Sequence, residues 1–255
     1  MPQAPSYHKE RLEAAVEIWG EILNGSVTTR EQLAELLRQM YTSLDIEPIR
    51  GKTKIDIYDK ELATVFLVGK YGLGLEEELE KYQHLFSVEI AASRVLENIL
   101  NGDDPRKALA EHFYRVDENA VFRVLRLAMT ANVLNYMSEE QFLKVLQKFE
   151  ASFPEYSSNF LGFKRFYIAY KLAESIARGD VRNRIEKEAL KHALCLRLGT
   201  EKAAPPDWLV REVAVKVLRV PEHRANDSLS MSREEQKHRG GFRERRTRRA
   251  AEQSG

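Results

Sequence analysis

The sequence predicts an all-α protein, an irregular bundle of about ten helices with short links and a disordered or partner-ordered basic C-terminal tail. Three observations predict it. Apolar residues recur at three- and four-residue spacing along nearly the whole chain. Ser, Thr or Asp precedes these runs, and Gly or Pro closes them. A single cysteine, Cys195, and only 21 Pro plus Gly among 255 residues leave no basis for a disulfide scaffold or a collagenous chain.

The elements follow in order. Leu12, Ala15, Val16, Trp19, Ile22 and Leu23 form one helical stripe that stops at Gly25. Thr28-Thr29-Arg30-Glu31 reads as a capping box before Leu33, Leu36, Leu37 and Met40. Ile49 to Tyr58 breaks the pattern. There Thr53, Ile55 and Ile57 alternate with Lys52, Lys54 and Asp56, the period of a strand, so an extended link or small hairpin edge is expected. Ser87 opens a helix through Ile90, Val95 and Ile99 that closes at Gly102. Asp104-Pro105 is an N-cap followed by proline at the first helical position. Asp117 caps a run through Val121, Val124, Leu125 and Ala128, and Ser138 to Gln141 is a second capping box. After Pro154 a long helix runs from Ser158 to Arg178 and ends at Gly179. Asp180 is expected to cap the next, which ends at Gly199, and Asp207 the last, from Trp208 to Arg219 before Pro221. No repeat of 30 to 50 residues supports a regular solenoid. The expected organisation is a helical body over 1–222, with two lobes meeting near 101–105, and a basic tail over 223–255.

Net charge is only +1, but it is unevenly distributed. Lys237 to Gly255 carries seven Lys/Arg and two Glu, a net of +5, while residues 1–236 carry 33 basic and 37 acidic residues, a net of −4. Such asymmetry marks an interaction tail. The N-terminal MPQAPSYHKERLE has no apolar signal core, and the apolar stretch Leu62 to Val68 is far short of a membrane span. A cytoplasmic protein with no membrane partner is therefore expected.

Motifs for catalysis, cofactors and metals are absent or incomplete. Gly51-Lys52-Thr53 resembles the end of a phosphate-binding loop, but that loop needs a glycine at position 46, which is Ile46. Gly69 to Gly74 is a glycine cluster, yet Glu76, Glu77 and Glu78 crowd the next helix start and repel an anion. His192 and Cys195 share a helical face one turn beyond Glu188, too few groups for a zinc site and off the Glu-x-x-His spacing of a di-iron bundle. No Gly-x-Ser-x-Gly elbow appears. No cofactor or metal is therefore expected, and the enzyme class is left without a motif.

Two segments suit nucleic acid. Lys237, Arg239, Arg243, Arg245, Arg246, Arg248 and Arg249 lie within thirteen positions, and six of the seven are arginine, which forks onto phosphates and stacks on bases. Arg239-Gly240-Gly241-Phe242 is one Arg-Gly-Gly element, and Arg245 to Arg249 resembles an arginine-rich segment that orders on RNA. The second segment interleaves Phe160, Phe163, Phe166, Tyr167 and Tyr170 with Lys164, Arg165 and Lys171. Its spacing is that of a core-facing helix stripe, the preferred reading, which places the aromatic rings inside and the three cations on the flank.

Arg11 to Leu23 and the Thr29-Arg30-Glu31-Gln32-Leu33 start resemble an uncharacterised family of proteins from thermophilic archaea. The resemblance spans the body and not the tail, implies a cytoplasmic protein, and transfers no site residue. High Glu, Lys and Arg content accords with a thermophile. The expected function is a non-enzymatic, RNA-associated protein with ribosomal RNA and ribosomal proteins as candidate partners. The alternative is a helical protein–protein adaptor with an incidental tail.

Overall fold

The structure, a computed structural model, describes residues 9–43 and 54–229, with side chains over 9–39 and 61–229. Eleven α-helices and no strand occur among the described residues. The chain divides into two compact units, Met1–Tyr167 and Ile168–Gly255. Asn101 to Pro105, where the sequence suggests a meeting of lobes, lies inside the first unit.

The first unit contains α1 (Lys9–Leu23), α2 (Arg30–Ser43), α3 (Lys54–Leu67), α4 (Gln83–Asn101), α5 (Pro105–His112), α6 (Glu118–Val133) and α7 (Glu139–Ser152). α4 and α6 pack together, with α3, α5 and α7 against them. Three of the predicted caps hold. Asp104 accepts from the N–H groups of Arg106 and Lys107, Asp117 from Ala120, and Ser138 with Gln141 closes a reciprocal box. At α2 the box is one residue later than expected, with Gln32 N–H donating to Thr29 Oγ1 and Gln32 Oε1 accepting from Thr28 and Thr29 N–H. α4 starts before Ser87, but a break at Phe86 (φ −123°, ψ 27°) separates the expected helix from the added turn.

The extended link expected over 49–58 is corrected in part. Lys54 to Tyr58 are helical, and 49–53 lie outside the described residues. The reason lies downstream. Every residue from Glu61 to Lys70 is buried, so the second half of α3 runs through the interior, where a helix satisfies its own backbone and a lone strand cannot. α3 ends in a π turn over Val68–Gly72. The Trp19 indole N–H donates to Val65 O at 2.7 Å. Its ring lies against Gly69, where a Cβ would sit 2.2 Å from the nearest ring carbon. Lys70 is buried, with Nζ 2.9 Å from Ser93 Oγ, 2.5 Å from Glu97 and 3.1 Å from Glu76.

α8 (Ser157–Arg178) carries the chain from the first unit into the second, which continues with α9 (Arg184–Arg197), α10 (Asp207–Glu212) and α11 (Glu222–Leu229). Asn183, not Asp180, caps α9, accepting from Ile185 and Glu186 N–H. The chain turns first, with Gly179 left-handed (φ 84°) and Asp180 N–H donating back to Ser175 O. Lys187 is 1% exposed and binds both carboxylate oxygens of Asp207, at 2.9 and 3.0 Å, pinning α9 to the start of α10. No described helix is long and apolar enough to cross a membrane.

Candidate nucleic-acid interface

The seven tail residues Lys237, Arg239, Arg243, Arg245, Arg246, Arg248 and Arg249 lie outside the described residues. The second candidate segment is fully described. On α8, Phe160, Tyr167 and Tyr170 are buried. Phe122 of α6 packs 5.3 Å from Phe160 and 6.0 Å from Phe163, and Phe142 of α7 lies 4.6 Å from Tyr167, ring centre to ring centre. Three of the five rings are therefore core, and Phe163 and Phe166 are half-buried. Lys164 is buried as well, its Nζ 2.7 Å from Glu150. Lys171 lies 3.5 Å from Glu174, which also takes Arg178 at 3.1 Å. Arg165 is half-buried. Two of these three cations thus sit on carboxylates of their own unit.

The other motifs resolve into structure. Within the glycine cluster, Gly69 makes room for Trp19 and Gly74 takes a left-handed turn (φ 70°), while Glu76 binds Lys70. Cys195 is buried, and burial pushes its thiol above the usual range, away from nucleophilic use. His192 faces solvent, 3.9 Å from Glu201. Among the described residues no three His, Cys, Asp or Glu side chains converge as metal ligands.

A feature missed in the sequence is a hollow of about 20 Å³ beside α4 and α6, lined by Glu89, Arg123 and Arg126 among apolar residues. It is the size of one water. The two arginines stand one turn apart on α6, a spacing that could have been noticed. Arg126 Nε is already engaged with Phe122 O at 3.1 Å.

The other missed feature is the extent of the cationic region. The first unit, 1–167, has 20 basic and 26 acidic residues, a net of −6, and the second, 168–255, has 20 basic and 13 acidic, a net of +7. Within the described part of the second unit, 168–229, 12 basic and 9 acidic residues leave +3. Arg182, Arg184, Arg197, Lys202, Arg219 and Arg224 are all exposed there. Summing charge over the tail alone hid this, because the boundary at Tyr167 falls inside a helix and leaves no linker signature.

Residues 5–229 match the family described as "uncharacterized protein conserved in archaea" (DUF2192), and the chain belongs to that family. Comparison with curated proteins and with solved structures finds no match.

Proposed function

We propose that this is a cytoplasmic, RNA-associated protein whose cationic C-terminal third engages phosphates, with ribosomal RNA as a candidate target. The partition of charge supports the reading: −6 over 1–167 against +7 over 168–255. A polyanion is repelled by the first and attracted by the second. The arginines from Arg239 to Arg249 supply the densest contacts, and the exposed cations of the second unit add to that positive charge. Lys164 and Lys171 contribute little, because each is neutralised by a carboxylate.

The test is a salt titration of binding to single-stranded RNA by the full chain and by a chain ending at Gln236. Each phosphate contact contributes a slope of about −0.7 in log affinity against log salt, so four to seven contacts give roughly −3 to −5. Truncation is expected to weaken binding to many sequences alike, because phosphate contacts position without specifying. A residual slope of about −1 would assign the remainder to the second unit's body. No binding by the full chain at low salt sinks the proposal and favours the adaptor reading.

A further inference from the structure

α8 ends in a turn that its own backbone closes. Gly179 N–H donates to Ile176 O at 3.1 Å and Asp180 N–H to Ser175 O at 2.9 Å, with Gly179 left-handed. Two arginines from different elements reach that same turn. Arg182 Nε donates to Gly179 O at 2.9 Å, and Arg224 Nη2, from α11, donates to Ala177 O at 3.4 Å. Arg224 Nη2 is also the atom that a Cβ at Gly179 would meet, at 3.0 Å. The two guanidiniums therefore converge on one glycine. The carbonyl end of a helix favours cations, but a carbonyl does not neutralise them. Among the described residues neither arginine has a carboxylate partner, and Glu186 Oε2 takes the Arg182 backbone N–H instead, at 2.6 Å.

Each arginine is exposed and spends a single donor on the turn, which leaves the rest of its planar fork for another acceptor. Two such forks at one turn suit the oxygens of phosphodiesters, and anchoring them beforehand lowers the cost of ordering them on binding. The start of the tail lies at the same place. Ser228 Oγ of α11 donates to Val181 O at 3.4 Å, so the end of α11 is tied to this turn one residue before Leu229. Residues 230–255, which continue from there, have eight basic and four acidic side chains. The two guanidiniums thus sit where the chain passes into its most basic segment, and both attract a polyanion.

We propose that Arg182 and Arg224 form a phosphate clamp at which RNA crosses the second unit, holding neighbouring phosphates of the strand that the tail engages. The inference rests on the RNA-binding reading above and adds to it a place on the folded body. A clamp made of guanidiniums on a backbone turn reads no base, so its contribution is the same for every sequence.

The experiment is a salt titration of single-stranded RNA binding by the full chain, with Arg182→Gln and Arg224→Gln combined in one variant. Both positions are exposed and the turn closes without them, so the variant keeps its helical circular dichroism. Two lost contacts, at about 0.7 each, make the slope of log affinity against log salt shallower by about 1.4 and weaken binding roughly twentyfold at about 0.1 M salt. Arg182→Lys with Arg224→Lys keeps the charge and most of the slope while losing the forked hydrogen bonds. Removing as much charge elsewhere on the unit, with Arg197→Gln and Lys202→Gln, moves the slope by less than about 0.5. An unchanged slope in the Arg182 and Arg224 variant, while the full chain binds, overturns the clamp and leaves the tail reading standing. An equal loss from Arg197 and Lys202 overturns it as well, since the effect then belongs to net charge. If the full chain binds no RNA at low salt, the RNA reading falls and the clamp with it.

Discussion

α3 in the first unit and α10 in the second end alike. Each runs into a five-residue π turn, Val68–Gly72 and Val213–Val217. Leu73 N–H donates to Val68 O at 2.8 Å, and Leu218 N–H to Val213 O at 3.0 Å. Next comes a left-handed residue, Gly74 (φ 70°) or Arg219 (φ 54°), and then a bond of 2.9 Å from Leu75 N–H to Gly69 O or from Val220 N–H to Ala214 O. The two endings therefore align Gly69 with Ala214, Lys70 with Val215 and Gly74 with Arg219. Their bracing differs. The first is clamped from afar in sequence by Trp19, Ser93 and Glu97, whereas the second buries Val213, Ala214 and Val217. One backbone ending thus tolerates two kinds of support, and the support decides which residues it can exchange.

The largest predicted effect exploits that alignment. Gly69→Ala puts a methyl group 2.2 Å from the Trp19 ring, too close for a flat, buried side chain to yield cheaply. A loss of about 3 kcal/mol is expected in urea unfolding followed by Trp19 fluorescence. The reverse exchange, Ala214→Gly, should cost only about 1 kcal/mol, the ordinary penalty of glycine in a helix. Equal losses at the two sites would mean that the endings are supported alike.

Trp19→Phe comes next. It removes the indole N–H from the buried Val65 carbonyl and shortens the ring, for about 2 kcal/mol. The smaller ring should also leave room for a methyl group at position 69. In that background Gly69→Ala should therefore cost visibly less than in the wild type. Strict additivity of the two changes would break the claim that Trp19 is what demands the glycine.

Lys70→Met tests the polar half of the clamp. Glu76 and Glu97 keep side-chain exposures of 65% and 49%, so they return to water once the cation is gone, and a loss of about 1–2 kcal/mol is expected. Burial alone would push the Lys70 ammonium down. Hydrogen bonds to Glu97 and Glu76, with the nearby charges of Tyr71 and Glu97, outweigh burial and hold it above its usual range. A group raised on folding stabilises fully below its unfolded pKa, and that contribution is lost as pH rises through the folded value. The gap between wild type and Lys70→Met should accordingly stay flat from neutral pH to about 10 and narrow only above it. A gap that closes near neutral pH would assign the stability to another group.

The contrast between the endings also marks what a sequence reveals. The caps at Asp104, Asp117 and Ser138 were legible because donor and acceptor lie within three residues of each other. The alternation through Ile55 and Ile57 misled because the burial of the residues after Glu61, not the local period, sets the conformation there. Asn183 displaced Asp180 because a loop turn at Gly179 intervenes, and turn geometry is weakly written in residue identity. Among the candidate binding residues, the ring spacing on α8 correctly allowed a core stripe. The fate of Lys164 could not be read, since its carboxylate is Glu150 on another helix. Nor could the meeting of Arg182 and Arg224 be read, since it takes α11 folded onto the turn at Gly179 to bring them together.

The smallest effect concerns the left-handed residue itself. An L residue with a side chain pays steric strain at φ 54°, where its Cβ crowds the carbonyl, and glycine does not. Glycine also gains more freedom in the unfolded chain, which offsets part of that relief. Arg219→Gly should therefore stabilise the second unit by about 0.5 kcal/mol, while Gly74→Ala should destabilise the first by about 1 kcal/mol. Trp208 lies in the second unit as Trp19 lies in the first, so fluorescence of variants retaining one tryptophan reads each ending separately. Opposite signs at the two positions would confirm that both endings ask the same conformation of the chain. A loss of stability in Arg219→Gly would mean that the arginine side chain, absent from the corresponding place in α3, is itself part of what braces the second ending.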